Sequence, residues 1–218
     1  MKKNTLRRWP WVVSFAALLA ACSSTPPPPD WQMNAKSSAE RAAEAWLSGN
    51  GKVEEVEFLR ARSEVARTAQ PSLLARLELM RCATRVAALV FEPCAGYEAL
   101  ATDAAPAEQA YARYLAGQAT AADAALLPPV HRGLVGTAPA SLSGIEDPLS
   151  RLIAAGVLLQ RGAASPAVVA DAVETSSQRG WRRPVLAWLG VQLRQAQTAG
   201  AADEAARIQR RLDVLAPR

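Results

Sequence analysis

Apolar residues recur along this chain at three- and four-residue spacings, and β-branched runs in strict alternation with polar residues are nearly missing. That periodicity predicts amphipathic helices throughout. Ser37-Ser38-Ala39-Glu40 fits a capping box, so the first helix is expected to begin near Ser37. Ala39, Ala42, Ala43 and Trp46 would share one face, and Gly49-Asn50-Gly51 would end the helix. A second helix is expected over about Val53 to Thr68. Its apolar side would be Val56, Leu59, Ser63 and Ala66, with Glu54, Glu57, Arg60, Glu64 and Arg67 on a solvated face. A third helix after Pro71, running to about Leu89, carries two stripes: Leu73, Leu77, Met80 and Ala87, then Leu79, Cys82, Val86 and Leu89. Two stripes predict contacts on two sides, hence a central helix.

Glu92-Pro93 should break that helix, and short helices are expected at Gly96–Ala101 and Ala107–Ala116. From Pro128 to Pro148 prolines and glycines interrupt the periodicity, which predicts a loop-rich connector. Four more helices are expected at Leu149–Gln160, Pro166–Gln178, Pro184–Thr198 and Ala202–Leu215. The expected fold class is all-α: helical hairpins packed as an irregular, repeat-like bundle or short solenoid. The expected division is a helical part at 31–127, the connector at 128–148 and C-terminal hairpins at 149–218.

Leu152, Gly156, Val157 and Leu159 recur 34 residues later as Leu186, Gly190, Val191 and Leu193. Thirty-four residues is the period of the tetratricopeptide repeat. The second copy resembles that family: Leu186, Leu189, Gly190 and Leu193 occupy slots like its Trp, Leu, Gly and Tyr, and Ala205 and Pro217 are spaced like its later Ala and Pro. The departures are leucines in the two aromatic slots, Gln209 in the Phe slot, and a longer turn. The resemblance implies helix–turn–helix units and polypeptide binding along a concave face.

The chain opens with Lys2, Lys3, Arg7 and Arg8, followed by an apolar stretch from Trp11 to Ala21. A positive start, a short apolar run and small residues at its end form a signal-peptide pattern. Leu19-Ala20-Ala21-Cys22 resembles the lipobox of bacterial lipoproteins. The resemblance implies removal of residues 1–21, acylation of Cys22 and a lipid anchor. One acyl chain gives marginal binding, whereas two or more hold stably. The resemblance further implies an outer-membrane, periplasm-facing address, because Ser23 stands where an inner-membrane lipoprotein commonly carries Asp. Pro26 to Pro29 then reads as an extended tether within 22–30.

Removing that leader changes the charge picture. The formal net charge is +5, but four positive charges and no acids lie in the leader, leaving about +1 on 197 residues. A basic nucleic-acid footprint is therefore missing, and no nucleic-acid partner is expected.

In an oxidising compartment Cys82 and Cys94 are expected to pair, since Cys22 is reserved for lipid. No HExxH, GxSxG, SxxK or Gly-rich phosphate loop occurs, and His and Cys lack metal-ligand spacing. His131 is the single histidine, expected on the surface or in a loop. Glu54, Glu55 and Glu57 are expected on a solvated helix with nothing to raise a pKa. No cofactor, metal or catalytic residue is expected. Arg179-Gly180-Trp181-Arg182-Arg183 is the candidate recognition segment, because Trp and Arg dominate binding hot spots; a packed Trp among solvated arginines is the other reading. The functional expectation is a membrane-anchored, non-catalytic scaffold or adaptor for an envelope protein partner. The alternatives are a peptidoglycan-active or other envelope hydrolase, marked by a buried carboxylate or a His131–hydroxyl bond, and a lipid- or small-ligand-binding lipoprotein, marked by an apolar cavity.

Overall fold

The computed structural model describes residues 27–215. Leu19-Ala20-Ala21-Cys22, Ser23 and Pro217 lie outside the described residues. Within them the chain is all-helical: α1 (Asp30–Ser48), α2 (Gly51–Ala66), α3 (Pro71–Ala87), α4 (Ala95–Glu98), α5 (Pro106–Leu115), α6 (Pro129–Arg132), α7 (Pro148–Gln160), α8 (Pro166–Arg179), α9 (Arg182–Thr198) and α10 (Ala202–Leu215).

Proline or a side-chain cap starts most of these helices. Pro71, Pro106, Pro148 and Pro166 sit in first turns, where a missing N–H costs nothing. Asn50, Asp147 and Ser165 accept backbone N–H bonds at the starts of α2, α7 and α8. Gly49 closes α1 with φ +101°, a conformation an L side chain resists. The start of α1 departs from expectation. The helix begins at Asp30, after Pro29, and Ser37 and Ser38 lie inside it, each accepting a bond from the Arg41 guanidinium. A partner one turn onward replaces the capping role.

The α1–α2 hairpin has a small core of its own: Ala35, Ala39, Ala42, Phe58, Ala61, Val65 and, from α3, Leu77. The rest of the molecule shares one larger core, running from Leu47 to Ile208 and including buried Tyr114, Leu152, Leu158, Trp188 and Leu189. α3 is central, as its two stripes predict, and packs against α1, α2, α4, α5 and α7. Trp188 donates its indole N–H to the Ala87 carbonyl at 3.0 Å, fastening α9 to the end of α3. The segment 128–148 is more than a connector. It holds α6, and its Leu142 and Ile145 are buried in the larger core, so both halves share that core.

The two repeat-like glycines are not equivalent. A Cβ on Gly156 would lie 2.4 Å from the Val86 carbonyl oxygen, so α7 and α3 touch backbone to backbone there. A Cβ on Gly190 would meet nothing closer than an Arg194 nitrogen at 3.8 Å.

α2 is turned over relative to its expected face. Glu54, Glu57, Phe58, Ala61 and Val65 are buried, while Val53, Val56 and Leu59 are 43, 50 and 56 % exposed and Ser63 and Ala66 face outward too. α3 ends at Ala87, earlier than expected. Leu89 takes φ +61°, a sterically costly turn for a branched side chain, and the chain doubles back. That reversal brings Cys94 to Cys82 with Cα atoms 6.0 Å apart, joined as a disulfide.

Candidate functional site

The site begins with the carboxylates that α2 turns inward. A buried carboxylate is costly unless paired and hydrogen-bonded. Glu54 meets two arginines from α3: Arg81 Nε at 2.6 Å and Nη2 at 3.0 Å, and Arg85 Nη2 at 3.4 Å. Burial alone would raise the Glu54 pKa, but the hydrogen bonds and charges of Arg81 and Arg85 outweigh it and the net shift is downward. Glu57 accepts from Arg41 Nε at 3.0 Å and Arg60 Nη1 at 2.7 Å, and Arg41 foremost lowers its pKa. The glutamates expected on a solvated face are thus inside it. Glu55 remains exposed.

Both α3 arginines also stack on aromatic rings, Arg81 over Phe58 at 4.2 Å and Arg85 over Trp46 at 4.3 Å. Arg183 from α9 lies over Trp46 as well, at 3.6 Å, and donates to the Trp46 carbonyl at 2.8 Å. The Trp46 indole N–H is buried without a partner.

These groups border a cleft of about 280 Å³ between the α1–α2 hairpin and the α3–α7 face. Its walls are apolar: Phe58, Leu77, Met80, Leu149 and Ile153, with alanines of α1. Met80 is 46 % exposed, open to this space instead of packed in the stripe expected for it. The polar lining is unequal. Glu54 is buried and paired with Arg81 and Arg85, whereas Glu40, Glu44 and Asp147 are exposed at the rim, where Glu40 lies near Lys36, Glu44 accepts from Trp181 and Asp147 caps α7. The volume lies near the lower end for small-ligand pockets, about 300 Å³.

The expected recognition segment closes one end of this region with bonds inside the chain. Trp181 is buried, lines the cleft and donates its indole N–H to Glu44 at 2.9 Å. Arg179 lies over the Trp181 ring at 5.1 Å and 3.9 Å from Glu44, and Arg182 donates to the Leu215 carbonyl at 3.0 Å. With Arg183 on Trp46, the segment fastens α9 to α1.

His131 is buried, contrary to the surface position expected for it. Its Nδ1 lies 3.2 Å from the Tyr114 hydroxyl, and its ring packs 4.9 Å from the Tyr114 ring and 6.2 Å from that of Tyr111. Burial lowers its pKa to about 4, so the imidazole is neutral at pH 7. Burial likewise raises the pKa of Tyr114 above the ordinary phenol value. The pair is thus a neutral imidazole beside an un-ionised phenol, and it is the His131–hydroxyl contact named above as a mark of the hydrolase alternative. Against the effect of burial, Arg81 and Arg85 lower the pKa of Glu54, so the buried carboxylate of the cleft is held ionised and is not a general acid.

Among the described residues, no group of three or more His, Cys, Asp or Glu is placed to hold a metal ion. No helix of the described residues is long and apolar enough to cross a membrane. Sequence reasoning missed Trp46, Phe58, Arg81 and Arg85. The available signal was the Arg81–Arg85 spacing, which puts two cations on one face of α3. Comparison with protein-family models, curated proteins and solved structures finds no match for this chain.

Proposed function

We propose that this protein is a membrane-anchored lipoprotein, held through Cys22 on the periplasmic side of the outer membrane, that acts as a non-catalytic helical adaptor. Its working surface is the cleft between the hairpin and α3–α7. It takes an apolar segment of a partner polypeptide that carries basic residues. The observation that carries this reading is the pairing of apolar walls with a rim of exposed Glu40, Glu44 and Asp147. Apolar side chains of the partner would replace water on Met80, Leu149 and Ile153, and its Lys or Arg would meet the rim acids.

Two experiments test it. Cys22→Ser should release the protein from the membrane fraction; retention would sink the anchor. Titration of Trp46 and Trp181 fluorescence with an amphipathic peptide flanked by lysines should give saturable binding, lost with Glu40→Lys/Glu44→Lys. Equal binding of a glutamate-flanked peptide would remove the rim's role. Binding of a short-chain fatty acid alone would favour the small-ligand reading of the same cleft.

A further inference from the structure

The outward face of α2 holds three large apolar residues in water, and two of the helix's four acids, Glu54 and Glu57, are turned inward. On a helix turning about 100° per residue, Val53, Val56 and Leu59 share one arc with Lys52, Arg60 and Arg67, and no carboxylate falls on that arc. Glu55 and Glu64 flank it. The ion pairs are layered in the same sense. Arg60 is 63 % exposed above Glu57 at 10 %, Arg62 is 48 % exposed above Glu78 at 9 %, and Arg67 is 68 % exposed above Glu64 at 23 %. The outward arc of α2 is therefore apolar and cationic, with exposed Glu55 to one side and the partners of Arg60, Arg62 and Arg67 set deeper. Exposed apolar side chains bordered by Lys and Arg offer a bilayer surface both apolar contact and attraction to anionic headgroups.

The position of the chain's start points to the same occupant. α1 and α2 run antiparallel, with Arg41 meeting Glu57 across the hairpin, so Ala66 lies at the same end as Asp30. If Cys22 carries lipid, seven residues lie between the anchor and Asp30, a reach of about 25 Å when extended. The end of α2 is then held within reach of the headgroups.

We propose that the outward face of α2, centred on Val56 and flanked by Lys52, Arg60 and Arg67, is a contact surface for an anionic phospholipid bilayer. It orients the tethered domain and leaves the cleft on the inner side of the hairpin open. The proposal rests on the anchor reading for its location, but its test does not use the anchor.

The test uses the chain from Pro27 onward, which contains every described helix and both cores. Sedimentation with vesicles of phosphatidylglycerol and phosphatidylcholine should pull the protein down, and vesicles of phosphatidylcholine alone should do so far less. Raised salt should weaken the binding. Val56→Glu/Leu59→Glu should reduce it more than about tenfold, and Lys52→Gln by about fivefold, the loss of one positive charge near the surface. Thermal melts followed by circular dichroism should leave both variants folded as the parent. No vesicle binding, or binding equal in parent and variant, overturns the proposal. So does a concentration-dependent dimer in sedimentation equilibrium that Val56→Glu/Leu59→Glu dissolves, which would give the face to a second copy. Failure here with release of Cys22→Ser from membranes would remove the α2 surface and leave the anchor standing.

Discussion

In α7, seven consecutive residues from Leu152 to Leu158 are buried, and all are aliphatic or glycine. In α2, two of the five buried residues are glutamates, and three of its large apolar side chains are in water. The first helix packs by exclusion of water, close enough at Gly156 for backbone to meet backbone. The second is held by charge: Glu54 to Arg81 and Arg85, Glu57 to Arg41. An apolar contact tolerates small shifts of partner, whereas a desolvated carboxylate needs its arginines in place. The hairpin is therefore seated on the body by the directional bonds of Glu54 together with apolar contacts of Leu47 and Leu77, and the cleft lies along that seam.

The contrast can be broken most severely from the body side. Trp188→Ala removes a fully buried ring and its bond to Ala87, and should cost about 4 kcal/mol in chemical denaturation, taking hairpin and body down together. A local effect confined to α9 would mean the larger core is not shared. Acid acts next. Below pH 6.5 the unfolded chain gains a proton on His131 that the folded chain refuses until about 4. Stability should fall as pH drops through that window, by about 3 kcal/mol in all. His131→Phe should flatten this part of the profile, and an unchanged slope would mean that other groups produce it.

Glu54→Gln strikes the hairpin alone. It removes an anion from between two arginines, and a loss of about 2 kcal/mol is expected. Hydrogen exchange should quicken in α1 and α2 and stay constant in α7 to α9; uniform acceleration would refute separate docking. The smallest effect comes from the repeat-like glycines. Gly190→Ala should stabilise by about 0.5 kcal/mol through helix propensity. The same change at Gly156 should destabilise, because its new methyl would press on the Val86 carbonyl. Equal signs would mean the two glycines do the same work.

The helix inventory was legible because apolar spacing, Pro-led starts and Gly stops act locally. Residues 149–215 follow the expected boundaries within a few positions, and Cys82 and Cys94, the two cysteines expected to pair, lie at disulfide distance. The face of α2 was not legible. Val56–Leu59–Ala66 and Phe58–Ala61–Val65 are competing stripes on one helix, and the choice between them depends on Arg81 and Arg85, about 30 residues away in the chain and adjacent only after folding. For the same reason the histidine was misplaced: its partner Tyr114 is 17 positions earlier, in another helix. The Arg-Gly-Trp-Arg-Arg run stands out by composition, but its partners Glu44 and Trp46 are on α1.

The bonds from Trp181 to Glu44 and from Arg183 to Trp46 each join residues 137 positions apart. The two helices they lock are made at opposite ends of synthesis. The α1–α2 hairpin is available first, yet its final seat exists only once α9 has formed. Until then Trp46 lacks its Arg183 partner and Glu44 lacks Trp181, and contacts of such span are slow to close. A chain stalled or truncated before α9 would present this cleft to any passing apolar segment, which makes the interval before closure the period of greatest aggregation risk.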